Sequence, residues 1–158
     1  MRSRPSSLLV LAAASAALTL AACGPAGEPA PNTRAGRAAD SAYIRSAFGP
    51  TWTLTAINGT AAPLGSGARP ATLVFYSGEE RRANGFAGCN QWSSTWERRG
   101  GDTLLFTPPV STRMACADGM ALEQRFLGII GEARRIAQRD STLTLFTLTG
   151  DSARFVAR

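Results

Sequence analysis

From Thr51 onward, apolar and polar residues alternate in short runs. Thr51-Trp52-Thr53-Leu54-Thr55-Ala56-Ile57 sends Trp52, Leu54 and Ala56 to one side and threonines to the other. That is the pattern of a half-buried strand. Asn58-Gly59 follows, the pair best suited to a two-residue hairpin turn. Ala71–Tyr76 predicts a second strand. Gly85–Gly88 and Gln91–Arg98 predict two more, joined near a cysteine, and Thr103–Thr107 another. Leu143–Leu148 and Ala153–Val156 predict a final hairpin around Thr149-Gly150-Asp151. The alternation slips at Leu145-Phe146, which predicts a bulge there.

One segment has a helical period instead. Leu122, Phe126, Ile129, Ile130 and Ala133 fall on one stripe, with Glu123, Gln124, Arg125 and Glu132 mostly on the other side. Asp118 is placed to cap its start and Gly131 to end it. A lone amphipathic helix must bury its stripe, and the apolar face of a curved sheet is the natural partner. The expected fold is α+β, mainly β: a curved antiparallel sheet or partly open β-barrel with one packed helix.

The start of the chain has neither period. Arg2 and Arg4 precede an uncharged run, Leu8–Leu20, rich in Ala and Leu. It is shorter than the roughly 20 residues a membrane span needs and suits the apolar core of a secretory signal. Leu20-Ala21-Ala22-Cys23 resembles the bacterial lipobox. The resemblance implies cleavage before Cys23 and acylation of that cysteine, and more than one acyl chain gives stable anchoring. Gly24 is not the aspartate linked to inner-membrane retention in Gram-negative bacteria. The expected location is therefore the cell envelope, lipid-anchored at the outer membrane and facing the periplasm.

Three regions follow: a lipoprotein signal peptide over 1–22, a lipidated cysteine with an Ala/Pro/Gly-rich tether over 23–48, and one domain over 49–158. The tether has few large apolar residues and cannot bury a core. As a coil it reaches roughly 25–30 Å. Tyr43, Ile44, Ala47 and Phe48 have the spacing of one helical turn that docks on the domain.

The chain has 17 basic residues, all arginine, against 11 acidic ones, and no histidine. Without Arg2 and Arg4 the balance is 15 against 11, a net charge of +4. Arg81-Arg82, Arg98-Arg99 and Arg134-Arg135 each have a nearby acid: Glu80, Glu97 or Glu132. Nucleic-acid faces show clustered, unpaired charge with interleaved aromatics, so these pairs read as solvated loops and strand edges, and no nucleic-acid partner is expected.

With Cys23 acylated, Cys89 and Cys116 remain. In an oxidising compartment, paired cysteines form disulfides. Closing a loop of about 27 residues stabilises a domain by roughly 3–4 kcal/mol. A free reactive thiol is the first competing reading, with Arg113 three residues before Cys116 to lower its pKa. A metal site is the second, although the chain lacks His and C-x-x-C spacing. Nucleophilic catalysis lacks the His or Lys that usually activates a hydroxyl or thiol.

Gly85-Phe86-Ala87-Gly88-Cys89-Asn90-Gln91-Trp92, followed by Trp96, resembles the glycine-cysteine-asparagine motif of the META domain family. Ser111-Thr112-Arg113-Met114-Ala115-Cys116, with Glu123 and Phe126-Leu127, resembles its second motif. Trp52-Thr53-Leu54 with Ile57-Asn58-Gly59 resembles its opening strand and turn. Ser94 stands where many members have glycine, and Trp96 where tyrosine is more usual.

The resemblance implies a small antiparallel domain with a helix, often exported on a lipoprotein. Some members are linked to heat-shock induction, novobiocin resistance, or secretion and motility. No catalytic residues or cofactor come with it. Asn90, Trp92, Trp96 and Arg113 are candidate binding residues. Each also has an architectural reading: Asn90 in a turn, the tryptophans in the core, and Arg113 paired with a carboxylate such as Glu123.

The expected function is that of a non-catalytic envelope accessory protein that supports stress tolerance by binding an envelope protein or ligand. The alternatives are a carrier of a hydrophobic ligand or lipidated partner, and a thiol-redox protein using Cys89 and Cys116.

Overall fold

The computed structural model describes residues 47–158. The leader, Cys23 and most of the tether lie outside them, as do Tyr43 and Ile44. Among these residues are ten strands, one α-helix and a 3₁₀ turn at Ser66–Ala68: β1 (Trp52–Ile57), β2 (Thr60–Ala61), β3 (Thr72–Phe75), β4 (Arg82–Phe86), β5 (Gln91–Arg98), β6 (Leu104–Phe106), β7 (Val110–Ser111), α1 (Met120–Glu132), β8 (Ala133–Arg139), β9 (Thr142–Thr147) and β10 (Ser152–Ala157). The named strands pair antiparallel in the order β6-β5-β4-β3-β1-β10-β9-β8, with β2 on β1 and β7 on β5.

The sheet curls until its two edges nearly meet. Thr103 bridges Arg135, the Ile136 N–H donates to the Asp102 carbonyl at 2.9 Å, and Asp102 and Arg135 pair at 2.7 Å. The result is an antiparallel barrel with one seam. Closure of this kind leaves little unpaired edge.

The helix stripe lies where the sequence places it. Leu122, Phe126, Ile129 and Ile130 are buried. The Phe126 ring sits 5.6 Å from Trp92 and 6.1 Å from Phe155, both edge-on. Trp52, Leu73, Leu143, Leu145 and Phe155 complete one continuous core with them. The interior is filled by these side chains.

Several local expectations change. In β1 the register shifts between Leu54 and Ala56, so Ile57 rather than Ala56 joins Trp52 and Leu54 inside. The bulge expected at Leu145-Phe146 lies across the ladder instead, between Ala133 and Arg135 of β8. The alternation in β9 is unbroken: Leu143, Leu145 and Thr147 are buried, and Phe146 turns outward beneath the Arg135 guanidinium, 4.9 Å away.

Gly119, not Asp118, caps α1, at φ 91° and with no side-chain bond. The helix runs past Gly131 to Glu132. Ala133 then leaves helical geometry (φ −59°, ψ 136°) and opens β8, a strand absent from the periodicity reading.

The Asn58-Gly59 turn forms as expected, with positive φ at both residues. The Glu80–Arg82 and Glu97–Arg99 pairs also form, whereas Arg135 pairs with Asp102 rather than Glu132. Ala47 and Phe48 dock on the domain, and the rest of the helical turn expected from Tyr43 to Phe48 lies outside the described residues. The Ala47 carbonyl accepts from Trp52 Nε1 at 2.9 Å, and Phe48 makes a parallel bridge to Phe75.

Candidate functional site

The cysteine–asparagine motif ends β4 at Phe86, turns through 87–90 and opens β5 at Gln91, so the strand expected over Gly85–Gly88 lies earlier, at Arg82–Phe86. Its backbone leaves no room for side chains at three approaches. A Cβ on Gly85 would lie 2.1 Å from the Thr72 carbonyl oxygen, so β4 can pass β3 there only as glycine. Thr72 uses this closeness: its hydroxyl accepts from the Phe86 N–H at 2.9 Å, and its carbonyl accepts from Trp92 Nε1 at 3.1 Å. Farther on, Gly65 and Gly119 both press on Gly88, and a Cβ on either would sit 2.1 Å from the Gly88 carbonyl oxygen. That oxygen accepts the Ser66 N–H at 2.6 Å.

Within the turn, the Ala87 N–H donates to the Asn90 carbonyl at 2.8 Å. Cys89 and Cys116 are joined by a disulfide, their Cα atoms 5.9 Å apart. The segment before α1 is thereby stapled to the β4–β5 turn.

Asn90 completes the join. Its Oδ1 accepts the Met114 N–H and the Thr112 hydroxyl, each at 2.8 Å. Its Nδ2 donates to the Met114 carbonyl at 3.1 Å and to Glu123 Oε1 at 3.2 Å. The side-chain amide thus pairs with both backbone groups of Met114, as a strand residue would. An aspartate lacks the two N–H donors, and a glutamine places the same group one methylene too far.

Glu123 is the residue the sequence reading placed on the wrong side. It is 8% exposed. Oε2 accepts the Asn90 backbone N–H at 2.6 Å, and Oε1 accepts from Asn90 Nδ2 and, at 3.4 Å, from the Ser111 hydroxyl. A buried carboxylate needs such donors. Its place in the first turn of α1 also favours the negative charge. The signal in the sequence is its place in the second motif, Ser111-Thr112-Arg113-Met114-Ala115-Cys116 with Glu123.

Arg113 does not supply the countercharge. It is exposed and makes no ion pair with Glu123, which corrects the pairing expected from sequence. Trp92 and Trp96 share the inner face of β5 with Ser94 between them, and all three are buried. Trp96 Nε1 donates to the Arg82 carbonyl at 3.1 Å, and its ring meets Phe48 and Phe75. The Ser94 hydroxyl bonds the Thr107 carbonyl at 2.7 Å, at the break between β6 and β7 where Pro108 and Pro109 offer no N–H. Of the four candidate binding residues, Arg113 alone is exposed.

Outside, an open groove of about 450 Å³ runs past Asn84, Gln91, Ser93, Val110 and Thr112. A second hollow, of about 290 Å³ and lined by Arg82, Thr95, Thr107 and Pro108, adjoins it through Ser93 and Val110. Among the described residues, no three His, Cys, Asp or Glu side chains gather as a metal site. No helix among them is long and apolar enough to cross a membrane.

A seamed antiparallel barrel, filled by one helix and stapled through a Gly-Cys-Asn turn, defines a class of small β-domain. The META domain model matches residues 46–158, and the chain belongs to that family. Among solved structures, it is similar to a protein from Burkholderia xenovorans determined by NMR. The two share 27% identity over 85% of this chain and 94% of that one, with a TM-score of 0.58. A second NMR structure, 22% identical over 68% of this chain and 88% of its own, has a TM-score of 0.51 and shares the fold. No curated protein matches the chain.

Proposed function

We propose that this META domain protein is a lipid-anchored accessory protein of the cell envelope that acts by binding a partner or ligand rather than by catalysis. Envelope stress tolerance is the role we assign to it. The reading is carried by the sequence at the start of the chain: an apolar leader ending in Leu20-Ala21-Ala22-Cys23. Behind it stands a tether poor in large apolar residues, and then a domain with its interior filled and its recognition chemistry left to the surface.

That filled interior weighs against a carrier with internal cargo. The redox alternative is tested by titrating free thiols in the non-reduced protein, where their absence rejects resting free-thiol chemistry.

Membrane fractionation tests the anchor. Native protein is expected in the membrane fraction and the Cys23→Ser variant in the soluble one; unchanged fractionation rejects the reading. Cross-linking of the anchored protein in its own envelope, followed by identification of what is captured, tests the binding role.

A further inference from the structure

Exposed apolar side chains scattered singly are normal on any protein surface. Here several gather at one place. Leu64, Met114 and Met120 are 57%, 65% and 47% exposed. Leu64 precedes Gly65 and Met120 follows Gly119, the two glycines that press on the Gly88 carbonyl. Met114 is held through both backbone groups to Asn90. The three residues therefore lie around the Gly88–Asn90 turn. Val110, 65% exposed, extends the patch into the open groove.

The backbone beneath is fixed by the disulfide, by Asn90 and by the close glycine approaches. Binding on such a base costs little ordering entropy. Two guanidiniums border the patch. Arg113, beside Met114, is exposed and has no ion pair among the described residues. Arg69 is exposed, its carbonyl accepts the Gly65 N–H at 2.8 Å, and its guanidinium lies 4.0 Å over the Phe86 ring. That contact orders the charge without neutralising it. Exposed Asp118 offsets one of the two charges, and Glu123 is buried and occupied by Asn90 and Ser111.

We propose that this end of the barrel is a docking surface for a protein segment that carries carboxylates next to a large apolar side chain. The inference rests on the partner-binding reading above and specifies its surface and chemistry. Leu64, Met114 and Met120 receive the apolar side chain, and Arg69 and Arg113 receive the carboxylates.

The test uses the full chain in its native envelope, with a photo-activatable residue placed at position 114 or 120, in the groove at 93 or 95, or at 139 as a distant control. The cross-linked segment of the captured molecule is then sequenced. Positions 114 and 120 are expected to capture one protein through a segment with Asp or Glu flanking a large apolar residue, and position 139 none. Arg113→Glu and Arg69→Glu should each lower the yield by roughly fivefold or more, and Asp118→Asn should raise it. Melting curves check that the variants fold. Capture through a basic segment, a lipid or a second copy of this chain overturns the assignment, as does indifference to all three charge changes. If only the groove positions capture a protein, partner binding stands and this surface falls. If no position captures anything, both fall.

Discussion

The two ends of β5 are built by different physics. At its start, the Cys89–Cys116 disulfide, the Asn90 amide and the buried Glu123 carboxylate join the β4–β5 turn to the helix. At its far end, Trp96 meets Phe48 and Phe75, and Phe75 stacks on Phe106 at 6.0 Å. The first end depends on direction and on close backbone approach, so a single misplaced atom is costly. The second depends on buried area, which neighbouring rings can partly restore by shifting. A small barrel can thus have one end that tolerates little change and another that absorbs it.

The sharpest test of this contrast is Gly119→Ala. The new Cβ would meet the Gly88 oxygen at 2.1 Å, in a residue already at φ 91°. A loss of roughly 3–5 kcal/mol is expected by urea denaturation; a loss under about 1 kcal/mol would show that this end yields after all. Next come the cysteines. Cys89→Ala and Cys116→Ala should each cost roughly 3–4 kcal/mol, and the double variant little more. Strongly additive losses would mean that the two residues act separately.

Glu123→Gln is smaller, about 1–3 kcal/mol, because the amide keeps one acceptor but turns an N–H₂ toward Asn90 Nδ2 or the Asn90 N–H. The same equilibrium unfolding measures it, and a neutral result would mean that the carboxylate charge is not needed. Phe48→Ala should have the least effect, about 1–2 kcal/mol, since this ring is only half-buried. If it matched the cysteine variants, the aromatic end would not be the tolerant one.

The large periodic features are legible in the sequence. Trp52 and Leu54, Trp92 and Trp96, and Leu143 and Leu145 mark inner faces by alternation, and Leu122-Phe126-Ile129-Ile130 marks the helix. β8 is hidden because Ala133-Arg134-Arg135-Ile136-Ala137-Gln138-Arg139 buries Ala133, Ile136 and Gln138, only one of them a large apolar residue, and the bulge between Ala133 and Arg135 breaks the alternation. Phe146 misled because its ring covers itself with Arg135 outside the barrel rather than joining the core.

At the candidate site, the cysteine pair and Asn90 could be singled out, but their connections could not. Asn90, Met114 and Glu123 come together through tertiary contacts across 24 and 33 residues. Such contacts leave no periodic trace. Glu123 in particular obeys no amphipathic rule: its burial is decided by the donors of another segment.

The pairing of β1 with β10 has a consequence for how the domain comes into being. Trp52 lies opposite Ala157, and Ile57 opposite Ala153. β1 therefore finds one of its three partner strands only in β10, the last of the described strands. A search across so long a loop is entropically slow. Until it succeeds, Trp52, fully buried once folded, has one side uncovered. β1 must wait for β10, and during that interval the unfinished sheet offers an edge that other chains could capture.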